Sequence, residues 1–113
     1  MSKRRTAIYY KDPLKKSEPA KDWLESLRDK VGQAAVYVRI ARAESGNFGD
    51  HKSVGGGVME MRIPVGPGYR VYCAIDGSDV ILLLVGGSKS TQSKDILASK
   101  QYWESHKART RRG

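Results

Sequence analysis

Gly57-Val-Met-Glu-Met-Arg-Ile63 is followed by Pro64-Val-Gly-Pro-Gly68, and that by Tyr69-Arg-Val-Tyr-Cys-Ala-Ile75. Asp76-Gly-Ser-Asp79 and Val80-Ile-Leu-Leu-Leu-Val-Gly-Gly87 complete the stretch. Two turn signals separate three β-prone runs, which predicts a meander of antiparallel strands. Alternation puts Val58, Glu60 and Arg62 on one face of the first run, with Met59, Met61 and Ile63 on the other. In the second run, Tyr69, Val71, Cys73 and Ile75 alternate with Arg70, Tyr72 and Ala74. Residues 80–85 carry no polar side chain, so that run is expected to be a central strand covered on both faces.

If residues 64–68 are the hairpin loop, Ile63 pairs with Tyr69, Arg62 with Arg70 and Glu60 with Tyr72. A slip of one residue would destroy this arrangement. Like charges directly opposite on a sheet repel. Guanidinium groups about 5 Å apart near a surface repel by up to about 3 kcal/mol before they splay. Glu60 relieves part of that, and a phosphate would relieve more, because arginine matches its oxygens bidentately. The plainer alternative is an exposed face on which Glu60 simply pairs with Arg62 or Arg70. The same register sets Arg70 opposite Val85, four residues before Lys89. Lys52 lies in the preceding loop. Tyr72 shares the arginine face, where it is positioned to stack on a base or orient a phosphate.

Working outward, residues 6–10 form a short β-prone run. Ser17 reads as a helix N-cap, with Glu18 and Pro19 in the first turn. Ala20, Trp23, Leu24, Leu27 and Val31 then follow at helical spacing, with Trp23 a core anchor. Gly32 interrupts the pattern. A second helix is expected over 33–45, with Val36, Ile40 and Ala43 on one stripe and Gly46 as its stop. Residues 47–57 read as loop. A last helix starts at Ser90 or Thr91 and runs to about His106, with Ile96, Lys100 and Trp103 on one seam. The order β, α, α, β, β, β, α gives an α+β fold: a small, mainly antiparallel sheet with a helical hairpin and a C-terminal helix.

The 113 residues, 39% of them hydrophobic, suit a single domain over 1–113 with short basic tails. The tails hold Lys3, Arg4 and Arg5 at one end and Lys107, Arg109, Arg111 and Arg112 at the other. Lys and Arg total 21 against 12 Asp and Glu, a formal charge of +9. That excess points to a polyanion such as RNA, although an acidic protein would feel the same field. No apolar run approaches a membrane span, and no apolar signal core follows the basic start, so the expected location is cytoplasmic. The lone cysteine, Cys73, allows no internal disulfide and reads as a small core residue. His51 and His106 have no partner at ligand spacing, so no metal is expected. Gly86-Gly-Ser-Lys-Ser-Thr91 stands between strand and helix but lacks phosphate-loop spacing. A weaker reading remains, in which amides at the last helix's N-terminus hold a phosphate.

Taken as a set, several segments resemble a known family. They are Asp22-Trp-Leu-Glu-Ser-Leu27, Gly46-Asn-Phe-Gly-Asp-His-Lys52, Gly57-Val-Met-Glu-Met-Arg62, Gly66-Pro-Gly-Tyr-Arg-Val-Tyr72 and Gly86-Gly-Ser-Lys-Ser-Thr-Gln92. They are similar to the HigB-like "addiction module killer" branch of the RelE/ParE toxins, over roughly residues 6–105. The resemblance implies a RelE-like fold and the toxin of a type II toxin–antitoxin module. It implies a helix-turn-helix antitoxin as partner, and mRNA on the ribosome as the target of a metal-independent, cofactor-free endoribonuclease. It sets Arg62 and Arg70 where RNase members keep basic residues on adjacent strands, and Lys89 near the basic position after their last strand. Tyr102 and His106 are its counterparts for a C-terminal catalytic tyrosine or histidine. The aspartate of the usual Gly-Gly-Asp-Lys form is Ser88 here, which puts any role of that acid in doubt.

The implied reaction is attack of a ribose 2′-hydroxyl on the adjacent phosphate. Arg62 and Arg70 stabilise the growing charge, Lys89 acts as base or further cation, and Glu60 orients an arginine or serves as base. The alternatives are a ParE-like DNA gyrase inhibitor that cleaves nothing, and an inactive RNA- or antitoxin-binding module.

Overall fold

The structure is a computed structural model, and it describes residues 3–111. Met1, Ser2, Arg112 and Gly113 lie outside the described residues. The elements are β1 (Thr6–Tyr9), α1 (Pro19–Ser26), α2 (Lys30–Glu44), β2 (His51–Gly55), β3 (Val58–Ile63), β4 (Tyr69–Asp76), β5 (Val80–Ser88) and α3 (Gln92–Thr110), with a 3₁₀ turn at Lys89–Thr91. They form the expected α+β fold, with one more strand than the sequence suggested. The sheet order is β1-β5-β4-β3-β2. Only β1 runs parallel to its neighbour, β5. No helix among the described residues is long and apolar enough to cross a membrane.

The extra strand is β2, which lies inside the segment read as loop. It carries no apolar alternation because it is an exposed edge. Its pairing is set by the turn instead. Gly56 and Gly57 have φ of 66° and 88°, so the two residues make the I′-type turn that glycine permits.

Helix boundaries moved for local reasons. Glu18, not Ser17, is the N-cap of α1, and no side chain caps that helix. The helix ends at Ser26 because Asp29 opens the next one, accepting a hydrogen bond from the Gly32 amide at 2.9 Å. Gly32 is therefore inside α2 rather than a break. A Cβ there would stand 2.3 Å from the Tyr69 ring. Val31, placed on the first apolar face by spacing, is instead 76% exposed. At the other end of α2, Gly46 has φ of 98°; its amide bonds Ala43, and that of Asn47 bonds Arg42. That is the Schellman stop expected of a glycine. Finally, α3 continues past His106 to Thr110.

Asp29 also accepts the Tyr69 hydroxyl at 2.9 Å. The Gly32 amide first, and then Tyr69, hold its carboxyl below the usual carboxylate range. A depressed folded pKa stabilises the fold above the unfolded value, and that contribution is lost as pH falls through the folded one. Asp29→Asn should therefore flatten the acid limb of a stability–pH curve below about pH 5. Urea midpoints across that range, unchanged by the substitution, would refute the assignment.

Two apolar layers sandwich the sheet. Ala20, Leu24, Val36 and Ala43 of the helical hairpin cover Met61, Ile63, Val71, Cys73, Ile81 and Leu83. Trp103 of α3 covers Val58, Tyr72, Ala74, Leu82, Leu84 and Val85 on the other side. The sheet therefore has buried rows on both faces, and β5 is the covered central strand that its unbroken apolar run implied. Cys73 is sealed beneath the helical hairpin, and burial pushes its thiol up to about 12, so it is inert at neutral pH.

Leu84 and Val85 face the same side, because the β4–β5 register shifts between Tyr72 and Cys73. This bulge, with a three-residue loop (Gly77, Ser78, Asp79), moves the pairing by two residues from the sequence-based register. Arg70 lies opposite Gly87, not Val85. The correction brings Lys89 two residues nearer to Arg70.

Candidate active site

The β3–β4 hairpin has the register expected of its five-residue loop. Ile63 pairs with Tyr69, Arg62 with Arg70 and Glu60 with Tyr72. Arg62 and Arg70 are thus cross-strand neighbours at the hairpin's loop end. They line a cavity of about 420 Å³ together with Asp50, Gly68, Tyr69 and Lys89. Lys89 arrives from the turn after β5, where its backbone amide donates to the Gly68 carbonyl at 3.0 Å. Three cations from three segments therefore meet in one open cavity.

Each arginine is held by its own carboxylate. Arg62 Nη2 donates to Asp50 Oδ1 at 2.8 Å, at an exposed position. Arg70 Nε stands 3.5 Å from Glu60 Oε2, and Arg70 Nη1 donates to the Gly68 carbonyl at 3.1 Å. Lys89 takes part in no ion pair among the described residues. The Nε atoms of both arginines are buried and have no hydrogen-bond partner. Arg70 Nε already faces the Glu60 carboxylate, so Arg62 Nε is the buried donor left unmatched, and together with Lys89 it points to an anionic ligand.

The face carrying these residues is not exposed, as the plainer sequence reading supposed. Glu60 is fully buried beneath α3. Its Oε2 accepts from the Tyr72 hydroxyl at 3.0 Å and from Gln92 Nε2 at 2.8 Å. A buried carboxylate so engaged aims Arg70 rather than reaching substrate. Tyr72 is equally buried and has no face free to stack on a base. Burial, then its bond to Glu60, raises its pKa, so it stays a protonated donor.

The remaining predicted positions lie elsewhere. Lys52 is opposite Glu60 on the exposed edge strand, outside the cavity lining. His106 Nε2 is 2.7 Å from Asp76 Oδ2, and its ring stacks on Trp103. Tyr102 stacks on Tyr10 with centroids 4.8 Å apart. Asp76 is six residues along β4 from Arg70, about 20 Å away. His106 thus stands at the opposite end of the sheet, Tyr102 packs against Tyr10 just beyond β1, and neither lines the cavity. Ser88 caps its own turn through Thr91, and the Lys89 amide is committed to Gly68, so this turn does not hold a ready set of free amides. Among the described residues no group of three or more His, Cys, Asp or Glu is placed to hold a metal.

Asp50, Gln92 and Arg39 escaped the sequence reading. Arg39 projects from α2 to donate to the carbonyls of Arg62, Phe48 at 2.8 Å and Asp50 at 3.0 Å. It thereby fixes the loop that presents Asp50 to Arg62. Gly49 leaves room for it: a Cβ there would lie 2.7 Å from the guanidinium. Nothing in linear spacing joins position 39 to positions 48–62. Arg39→Ala should cost about 2 kcal/mol, the scale of lost hydrogen bonds to a charged group. An unchanged denaturant midpoint would show that the loop holds itself.

The chain is 47% identical over 78 residues to an uncharacterized protein of Haemophilus influenzae, covering 69% of this chain and 79% of that one. The chain belongs to that protein's family. No protein-family model matches the chain.

Proposed function

We propose that this protein is a RelE/ParE-superfamily toxin of the HigB-like branch, acting as a metal-independent mRNA endoribonuclease on the ribosome. Its partner in this reading is a helix-turn-helix antitoxin, and its compartment is the cytoplasm. The observation that carries the reading is the meeting of Arg62, Arg70 and Lys89 in one cavity, with Lys89 in no ion pair among the described residues. The net charge of +9 supports a polyanionic substrate.

In the proposed reaction the ribose 2′-oxygen attacks the adjacent phosphorus. The P–O5′ bond breaks, leaving a cyclic phosphate, and the proton released by the 2′-hydroxyl is made good at the leaving 5′-oxygen through solvent. Charge grows on the non-bridging oxygens, where Arg62 and Arg70 are positioned to bind it. Lys89 adds a third cation that need not be pulled from a carboxylate. Glu60 keeps Arg70 aimed, while Asp50 occupies Arg62 until a phosphate competes for it.

Primer extension on translated messages after induction tests this. Cleavage with 5′-hydroxyl ends, lost in a folded Arg62→Ala variant, is the expected result. Growth arrest with intact messages and blocked gyrase supercoiling would instead identify the ParE-like alternative.

A further inference from the structure

A second cavity, of about 360 Å³, adjoins the arginine site. The two share Tyr69, and they meet where Tyr69 pairs with Ser88 and the Lys89 amide bonds Gly68. The second cavity runs between α1 and the first turn of α3, with Gly86 and Gly87 in its lining. Trp23 supplies an aromatic wall, and Asp95 supplies a carboxylate that the proposed chemistry does not use. This volume is at the lower end for small-molecule pockets.

Asp95 is only 6% exposed, yet it lines the cavity. Its one side-chain donor among the described residues is the Thr91 hydroxyl, which bonds Oδ2. A buried carboxylate with a single hydroxyl donor leaves most of its acceptor capacity unfilled. Lys94 lines the same cavity, so an acceptor and a cationic donor stand together there, and the ligand that fits is flat and offers adjacent N–H donors beside an acceptor.

We infer that this cavity is a base subsite selective for guanine. Guanine's Watson–Crick edge presents two adjacent N–H donors, from N1 and N2, to match the two carboxylate oxygens. Adenine and cytosine each set one amino donor beside a ring-nitrogen acceptor, which a carboxylate oxygen repels. Uracil flanks its single N–H with two carbonyls. An aromatic wall is the usual companion of such single-stranded base recognition. The inference rests on the reading that RNA phosphate occupies the arginine cavity, because the two cavities adjoin within the reach of one nucleotide.

The test is an amide NMR titration of the full chain with guanosine, the four nucleoside monophosphates and inorganic phosphate. Guanosine and its monophosphate are expected to shift the Gly86 and Gly87 amides and the Trp23 indole N–H. Inorganic phosphate is expected to shift only the Gly68–Arg70 and Lys89 region. The guanine nucleotide should bind at least about tenfold tighter than the other three. Asp95→Asn, which replaces one acceptor with a donor, should erase that preference and leave phosphate binding unchanged. Equal affinity for all four nucleotides in the wild type would overturn the inference, whether or not the variant folds. If guanosine binds selectively while inorganic phosphate leaves the arginines untouched, the base subsite stands and the phosphate reading fails.

Discussion

Arg70→Ala is expected to lower RNA cleavage at least about 100-fold, the scale of one lost transition-state donor. It should also abolish growth arrest. The same substitution should cost stability, for a reason only the packing reveals. Arg70 is the counter-charge of Glu60, which is fully buried. Removing one partner of a buried pair leaves the other uncompensated, at about 3 kcal/mol. Lost activity alone would therefore be ambiguous. The double variant Glu60→Gln, Arg70→Ala resolves it, because a neutral amide needs no counter-charge and can still accept from Tyr72 or Gln92. Its urea midpoint should recover most of the loss while cleavage stays absent. Cleavage at the wild-type rate in that variant, with near-native circular dichroism, would remove Arg70 from the mechanism.

Gly86→Ala should damage the fold severely for a change of a single methyl. A Cβ at this position would stand 2.1 Å from Trp23 Cε3 and 2.5 Å from Cζ3. No φ constraint is involved, so the effect is one of space alone. The indole is wedged between this strand and Tyr69, whose ring it meets edge-on at 5.8 Å. It can give way only by repacking α1. Overpacking of this kind costs about 3 kcal/mol. The midpoint should fall with the m-value unchanged, and Trp23→Leu in the same chain should restore part of the loss. A Gly86→Ala protein as stable as the parent would show that α1 docks more loosely than its contacts indicate.

The reach of the sequence differs from element to element. The β3–β4 register was legible because a five-residue loop with Gly66 and Gly68 leaves few ways to close, and alternation then assigns every side chain. The edge strand β2 was not legible. Its pairing comes from backbone bonds to β3 and from the Gly56-Gly57 turn, and an exposed edge needs no apolar pattern. The break between α1 and α2 was misplaced because Gly32 looks like an interruption in one dimension. In three dimensions it is the gap that admits Tyr69. The β4–β5 register failed by two residues: the turn is one residue shorter than its Asp76–Asp79 signal suggested, and a one-residue bulge leaves no mark in a run of leucines and valines.

The same division runs through the site. By itself the sequence determined that Arg62 and Arg70 are neighbours and that Lys89 follows the central strand, since both depend on local alternation and turn length. Only the tertiary structure decided the environment of those charges. It placed α3 over the arginine face, which turned Glu60 and Tyr72 from exposed candidates into a buried brace. It sent His106 to the far end of the sheet and Tyr102 against Tyr10, and it brought Asp50 onto Arg62 through the reach of Arg39. Burial and through-space partnership depend on which layers close over a strand, and a strand's own residues do not encode which helix will cover them.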